Sequence, residues 1–201
     1  MNKLNHESLK QFDLTFPGHW IEGVDRDQAF QAQQILSLIQ SVFVEAVVSY
    51  ALFQPITVEN ARDHMDRIER GDETPYVRCL NGLYAKAFVF ALDGIEKLFN
   101  RLVSMYNSPK EIKHLHEEYR KLFGHLKHIS DSAIHIEDRG RGKTRKQEPL
   151  DTHIIVLGCF LERRYTFTGE DSRQYEIEIS DATLKKVKSI IQEAINSYSW
   201  V

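Results

Sequence analysis

The stretch Pro75 to Tyr106, PYVRCLNGLYAKAFVFALDGIEKLFNRLVSMY, decides the fold. Val77, Leu80, Leu83, Tyr84, Ala87, Phe88, Ala91, Leu92, Ile95, Leu98, Phe99 and Leu102 recur at three- and four-residue spacing for about eight turns, which predicts a long helix with one wide apolar face. Pro75 stands in its first turn, where a missing N–H costs nothing. So long an apolar face needs partners, and the flanking segments supply them. Upstream, Asp25 is an acceptable N-cap for a helix carrying Ala29, Ile35, Leu38, Ile39, Val42, Phe43, Ala46, Val47 and Tyr50, which ends before Pro55. A short polar helix follows from Thr57 through Ile68 and closes at Arg70-Gly71-Asp72. Downstream, Asn107-Ser108-Pro109 turns into a helix on which Leu115, Tyr119, Leu122, Leu126, Ile129, Ala133 and Ile136 alternate at four and three. That alternation predicts one unbroken rod packed lengthwise in a bundle.

Past this rod the period changes. The run GRGKTRKQEP, Gly140 to Pro149, has no apolar residue, so a solvated basic loop is expected over 140–150. Ile154 to Phe160 is a compact apolar run. Arg164–Thr168 and Tyr175–Ile179 alternate about the turn Gly169–Arg173, which predicts an antiparallel hairpin over 164–180. Ser180-Asp181 then caps a last helix over 181–199, with Leu184, Val187, Ile190, Ile191, Ala194, Ile195 and Tyr198 on one face. Residues 1–24 read as an irregular arm that packs its aromatics, Phe12, Phe16 and Trp20. The expectation is a mainly α fold: a four-to-five-helix up-and-down bundle with a small antiparallel β-hairpin inserted before the C-terminal helix, in one domain spanning 1–201.

Composition narrows the function classes. Twenty-six Lys and Arg against 29 Asp and Glu leave a formal charge of −3, so no global basic field draws the chain to nucleic acid or a membrane, and any such binding is local. The longest strongly apolar run, Val42 to Phe53, is broken by Glu45, Ser49 and Tyr50 and falls short of the roughly 20 residues a spanning helix needs. The amino terminus, with Asn2, Lys3, Asn5 and His6, lacks the apolar block of a signal peptide, and a cytoplasmic location without membrane contact is expected. Cys79 and Cys159 have no zinc or disulfide spacing and read as small apolar fillers.

The anomaly is histidine. His114, His116, His125, His128 and His135 crowd the fourth helix, and on an unbroken rod four of them, all but His116, share a sector of roughly 80° beside the seam. Glu111-x-x-His114 matches half of a diiron carboxylate signature but has no partner pair, and His125-x-x-His128 lacks two further zinc ligands, so no metal site and no cofactor is expected. Asp93 and Glu96 flank Gly94 on the central helix; a helix-interior glycine costs roughly 1 kcal/mol against alanine, which points to close approach of the fourth helix. The two carboxylates are also candidates to orient His135 from across the bundle. Arg139, Arg141, Lys143, Arg145 and Lys146 form the one concentrated positive patch, able to meet phosphates.

The segment His128-Ile129-Ser130-Asp131-Ser132-Ala133-Ile134-His135, late in a helical bundle and followed by a loop and a final helix, resembles the HEPN family (higher eukaryotes and prokaryotes nucleotide-binding). That family carries Arg, then Asn, Asp or His, then His after about three residues. His135 matches the histidine and Asp131 the polar second position; the arginine position falls on Ser130, a departure that removes the motif's cation. The resemblance implies an RNA-associated homodimer, a divergent or degenerate metal-independent endoribonuclease of a toxin–antitoxin or defence system, with a nucleotidyltransferase-type protein as a further partner. His135 would be the base, with Asp131 and His128 beside it and Arg139, Arg141, Lys143 and Arg145 on the RNA. The alternative is a non-catalytic helical interaction module with structural histidines.

Overall fold

The computed structural model of the chain describes residues 6–23, 25–54, 57–71, 75–152 and 154–201. The start of the arm and the expected breaks at Pro55 and Asp72–Thr74 lie outside these residues. A short helix α1 (His6–Leu9) and a single 3₁₀ turn (Lys10–Phe12) precede α2 (Arg26–Leu52), α3 (Val58–Glu69), α4 (Pro75–Val103), α5 (Lys110–Phe123), α6 (Leu126–Ile134) and α7 (Ile136–Gly140). Strands β1 (Leu157–Leu161), β2 (Arg164–Thr168) and β3 (Gln174–Glu178) follow, and α8 (Asp181–Asn196) comes last. The protein is therefore a mainly helical bundle with a small antiparallel sheet ahead of its final helix. The chain forms two compact units, one of residues 1–48, 91–124 and 181–201, the other of residues 49–90 and 125–180.

In the first unit, α5 packs on α8 and the core is built from Leu36, Ile39 and Phe43 of α2, Leu92, Ile95 and Phe99 of α4, Ile112 and Tyr119 of α5, and Ile191 and Ile195 of α8, all fully buried. Tyr119 Oη donates to the Leu92 carbonyl at 2.8 Å, which supplies the partner a buried phenol needs. Burial, reinforced by the charges of Asp93 and Glu96, holds that phenol well above its ordinary pKa. A Cβ at Gly94 would lie 3.4 Å from Val42 Cγ1, so the helix that comes close there is α2, not the fourth helix. The N-terminal arm is tied to the chain end: Ile21 bridges Trp200, Val201 N donates to Trp20 O at 2.9 Å, and the Phe16 and Trp200 rings meet edge to face at 5.4 Å.

The second unit sets α6 against the sheet, burying Ile129 and Ala133 with Tyr165, Phe167 and Ile177. The sheet has three strands in the order β1-β2-β3, not the two of the expected hairpin. The apolar run that showed no alternation pairs as β1 with β2, and its register shifts between Leu157 and Cys159 at Gly158, whose φ is +76°. A bulge of this kind destroys the period-2 pattern by which a strand is recognised.

Two further expectations change. The single rod is three helices, broken at Gly124–His125 and at His135, whose φ of −100° and ψ of 40° leave the helical region. A Cβ at Gly124 would stand 2.6 Å from the Arg120 carbonyl, so the first break needs glycine. Because the rod breaks, Leu122 of the predicted seam is 37% exposed, and Ile134, beside the second break, is 57% exposed. The uncharged stretch of α2 also extends well before Val42: by length and composition this helix is long and apolar enough to cross a membrane, with a mean hydropathy of 1.8 over its most apolar 18 residues, 33% of them buried.

Candidate functional site

The expected site residues fall in different places. His116 is buried, its Nε2 2.9 Å from Glu96 Oε1, with Phe99 stacked parallel to the ring at 6.4 Å. Glu96 also has Arg120 Nε at 3.8 Å, and Asp93 is bound by Lys97 Nζ at 2.7 Å. Within the first unit Glu96 thus meets His116 and Arg120, and Asp93 meets Lys97, where the sequence suggests His135 as their partner. His114 is exposed and lines a cleft of about 460 Å³ with Glu111, Glu118 and Glu193. Among the described residues no three His, Cys, Asp or Glu side chains are grouped to hold a metal ion.

The second unit gathers the rest. His135 occupies the break between α6 and α7, where its N–H still donates to the Asp131 carbonyl at 3.0 Å and its own carbonyl accepts from Arg139 N at 3.2 Å. The ring is half-buried. Its Nδ1 lies 3.9 Å from Asp138 Oδ2, an ion-pair distance for the imidazolium but too long for a hydrogen bond. Asp138 Oδ1 accepts from Gln147 Nε2 at 2.8 Å, and the Asp138 carbonyl accepts from the N–H groups of Arg141 and Lys143 at 3.1 and 2.9 Å. Asp138 therefore links the His135 ring to the basic segment. Its position one helical turn after His135 is the available signal, and the break at His135 makes it usable.

The basic segment is folded. Leu150 N donates to Gly142 O at 2.8 Å, Thr144 N to Glu148 O at 2.7 Å, and Lys143 bridges Pro149, with Gly142 and Gln147 in the left-handed region. Arg139, expected on its surface, is 1% exposed: Nη1 donates to Lys143 O at 2.7 Å and Nε to Ser132 Oγ at 3.4 Å. It supports the turn from beneath, while Arg141, Arg145 and Lys146 remain exposed. The motif position Ser130 is likewise buried and donates to Lys127 O, so position 130 faces the interior. Asp131 is half-buried.

The turn also touches the sheet, since Arg145 N donates to Glu170 Oε1 at 3.0 Å and Asp151 N to Ser172 Oγ at 2.7 Å. Here lies a cluster that sequence reasoning misses. The His128 ring stacks on Tyr175 at 4.4 Å, and Tyr175 Oη donates to Asp171 Oδ2. Partial desolvation pushes the Asp171 carboxyl up, but the Tyr175 and Arg173 hydrogen bonds and the neighbouring His128 outweigh it, and the net shift is downward. His125, at the α5–α6 joint, is pulled below its ordinary pKa by desolvation, against a hydrogen bond to the Glu176 backbone; its Nε2 is sealed without a partner. Tyr175 lies 47 residues beyond His128 in the chain, so only strand pairing brings it there.

Comparison of the chain with protein-family models, with curated proteins and with solved structures finds no match.

Proposed function

We propose that this protein is an RNA-associated, HEPN-like protein that holds phosphates on the turn carrying Arg141, Arg145 and Lys146 and presents His135 to the bound strand. The observation that supports this reading is Asp138, one carboxylate shared between the His135 ring and the basic turn. In its catalytic form, His135 takes the proton of a ribose 2′-hydroxyl as that oxygen bonds to the adjacent phosphorus. The P–O5′ bond breaks, the imidazolium or water returns a proton to the leaving oxygen, and Asp138 orients the ring. The cation facing the transition state would come from the turn, because Ser130 carries no charge and Arg139 is sealed.

The test uses a labelled single-stranded RNA. His135→Ala is expected to abolish cleavage while the melting temperature stays within a few degrees; a matching loss of folding supports a structural histidine. Reversing Arg141, Lys143 and Arg145 to Glu is expected to weaken retention and flatten its salt dependence by about one counterion for each phosphate no longer held. Retention indifferent to that reversal removes the turn from the site. Binding without cleavage in the unaltered chain leaves a degenerate, non-cleaving protein. A second reading, a non-catalytic interaction module, draws on one observation: Phe30, Leu38 and Val44 of α2 are each about half exposed.

A further inference from the structure

Three side chains fix the basic turn from outside its own backbone. Gln147 Nε2 donates to Asp138 Oδ1 at 2.8 Å, Glu170 Oε1 accepts from Arg145 N at 3.0 Å, and Ser172 Oγ accepts from Asp151 N at 2.7 Å. Two of these three residues stand in a backbone conformation that opposes them. Among the described residues only Gln147, Glu162 and Ser172 are non-glycine residues at positive φ, and Gln147 and Ser172 both sit at 65°. Glycine would hold either place at lower cost to the backbone, but it has no side chain with which to make the bond. Residues kept in such a conformation for the sake of a side-chain contact mark a place where local geometry counts for more than stability. The turn that carries Glu170 and Ser172 is itself braced. Gly169 N donates to Arg173 O at 2.7 Å, and Asp171 accepts from Arg173 N and from Tyr175 Oη. The Tyr175 ring lies so near Gly169 that a Cβ there would stand 2.7 Å from Cε2, and His128 of α6 stacks on the same ring.

From these contacts we infer that Gln147 and Ser172 are positioning residues of the phosphate-holding turn. Neither side chain carries charge, and each acts through a group it fixes: Gln147 through Asp138, Ser172 through the backbone at Asp151. Together they keep Arg141, Arg145 and Lys146 on one preformed backbone before RNA arrives. A loose loop with the same cations would have to be ordered at the moment of binding, and that lost freedom would lower the affinity. The inference rests on the RNA reading above, and it adds that affinity for a phosphate backbone depends on two uncharged residues as well as on the cations.

The experiment compares the unaltered full chain with Gln147→Gly, Ser172→Gly and the double variant. It measures retention of a labelled single-stranded RNA from about 50 to 200 mM salt, melting temperature and native-state hydrogen exchange. Every cation is kept, so the salt slope should hold while retention falls about threefold or more in each single variant. Relief of the left-handed conformation offsets the lost hydrogen bond, so the melting temperature should stay within a few degrees. The Thr144 and Leu150 amides, bonded to Glu148 O and Gly142 O, should exchange about tenfold faster while the amides of β2 and β3 keep their rates. Retention equal to that of the unaltered chain in both glycine variants overturns the inference and leaves the RNA reading standing. A flattened salt slope, which would make the two residues phosphate contacts, also overturns it. So does a melting temperature lowered by about 10 °C or more in step with retention, which would make them structural. A chain that retains no RNA at any salt overturns the RNA reading, and this inference with it.

Discussion

Arg139 is the largest of the fully buried side chains, and it has no carboxylate within ion-pair distance among the described residues. Its contribution should therefore come from its stem and from the bond to the Lys143 carbonyl rather than from its charge. Arg139→Ala removes two methylenes beyond Cβ, about 1.6 kcal/mol of burial, and leaves the Lys143 carbonyl without its donor, about 1–3 kcal/mol more. Relief of the desolvated guanidinium offsets part of this, so a net loss of about 2–3 kcal/mol is expected. Arg139→Met keeps the stem and discards the charge, and should lose less than half as much. Urea unfolding followed by far-UV circular dichroism measures both; at typical slopes of about 1–3 kcal/mol per molar, the alanine variant should drop the midpoint by about 1 M or more. Trp20 and Trp200 both lie in the first unit, so their fluorescence reports whether the two units unfold together. The reasoning fails if methionine is as damaging as alanine, because the guanidinium's own hydrogen bonds would then hold the turn.

Two further predictions concern the sheet and the helix joint. Gly158→Ala should cost more than about 2 kcal/mol, since the residue sits at φ +76° and its Cβ would stand 2.8 Å from Phe167 Cε2 and Tyr165 Oη. Gly23→Ala, at φ +82° with nothing within 4 Å, should show only the backbone penalty of about 1 kcal/mol, and equal losses at the two sites would contradict the packing account. His125 is held below its ordinary pKa, so the unfolded chain binds a proton there first. Its contribution is complete above about pH 6.5 and falls as the pH drops toward the lower folded value, with a slope of at most about 1.4 kcal/mol per pH unit. Denaturant titrations between pH 7 and 5 should show that slope reduced in His125→Gln; identical slopes would remove His125 as its source.

The helical class, the order of elements and the start of α8 at Asp181 are legible locally, because an apolar residue every third or fourth position betrays a buried helix face whatever packs on it. So is the candidate segment around His135. Other features need the folded chain. Glu96 stands out in the sequence but pairs with His116 rather than His135, since which imidazole a carboxylate meets depends on how α4 and α5 lie against each other. Arg139 reads as one of five equivalent surface cations, yet the break at His135 turns it inward while Arg141 and Arg145 stay in water. β1 is hidden by its bulge, and Tyr175 reaches His128 only through the β2–β3 register. Periodicity along a chain reports which face of an element avoids water; where that face finds its partner, and which polar groups are sealed or shared in doing so, is set by contacts between residues far apart in sequence, and these exist only once the elements have packed.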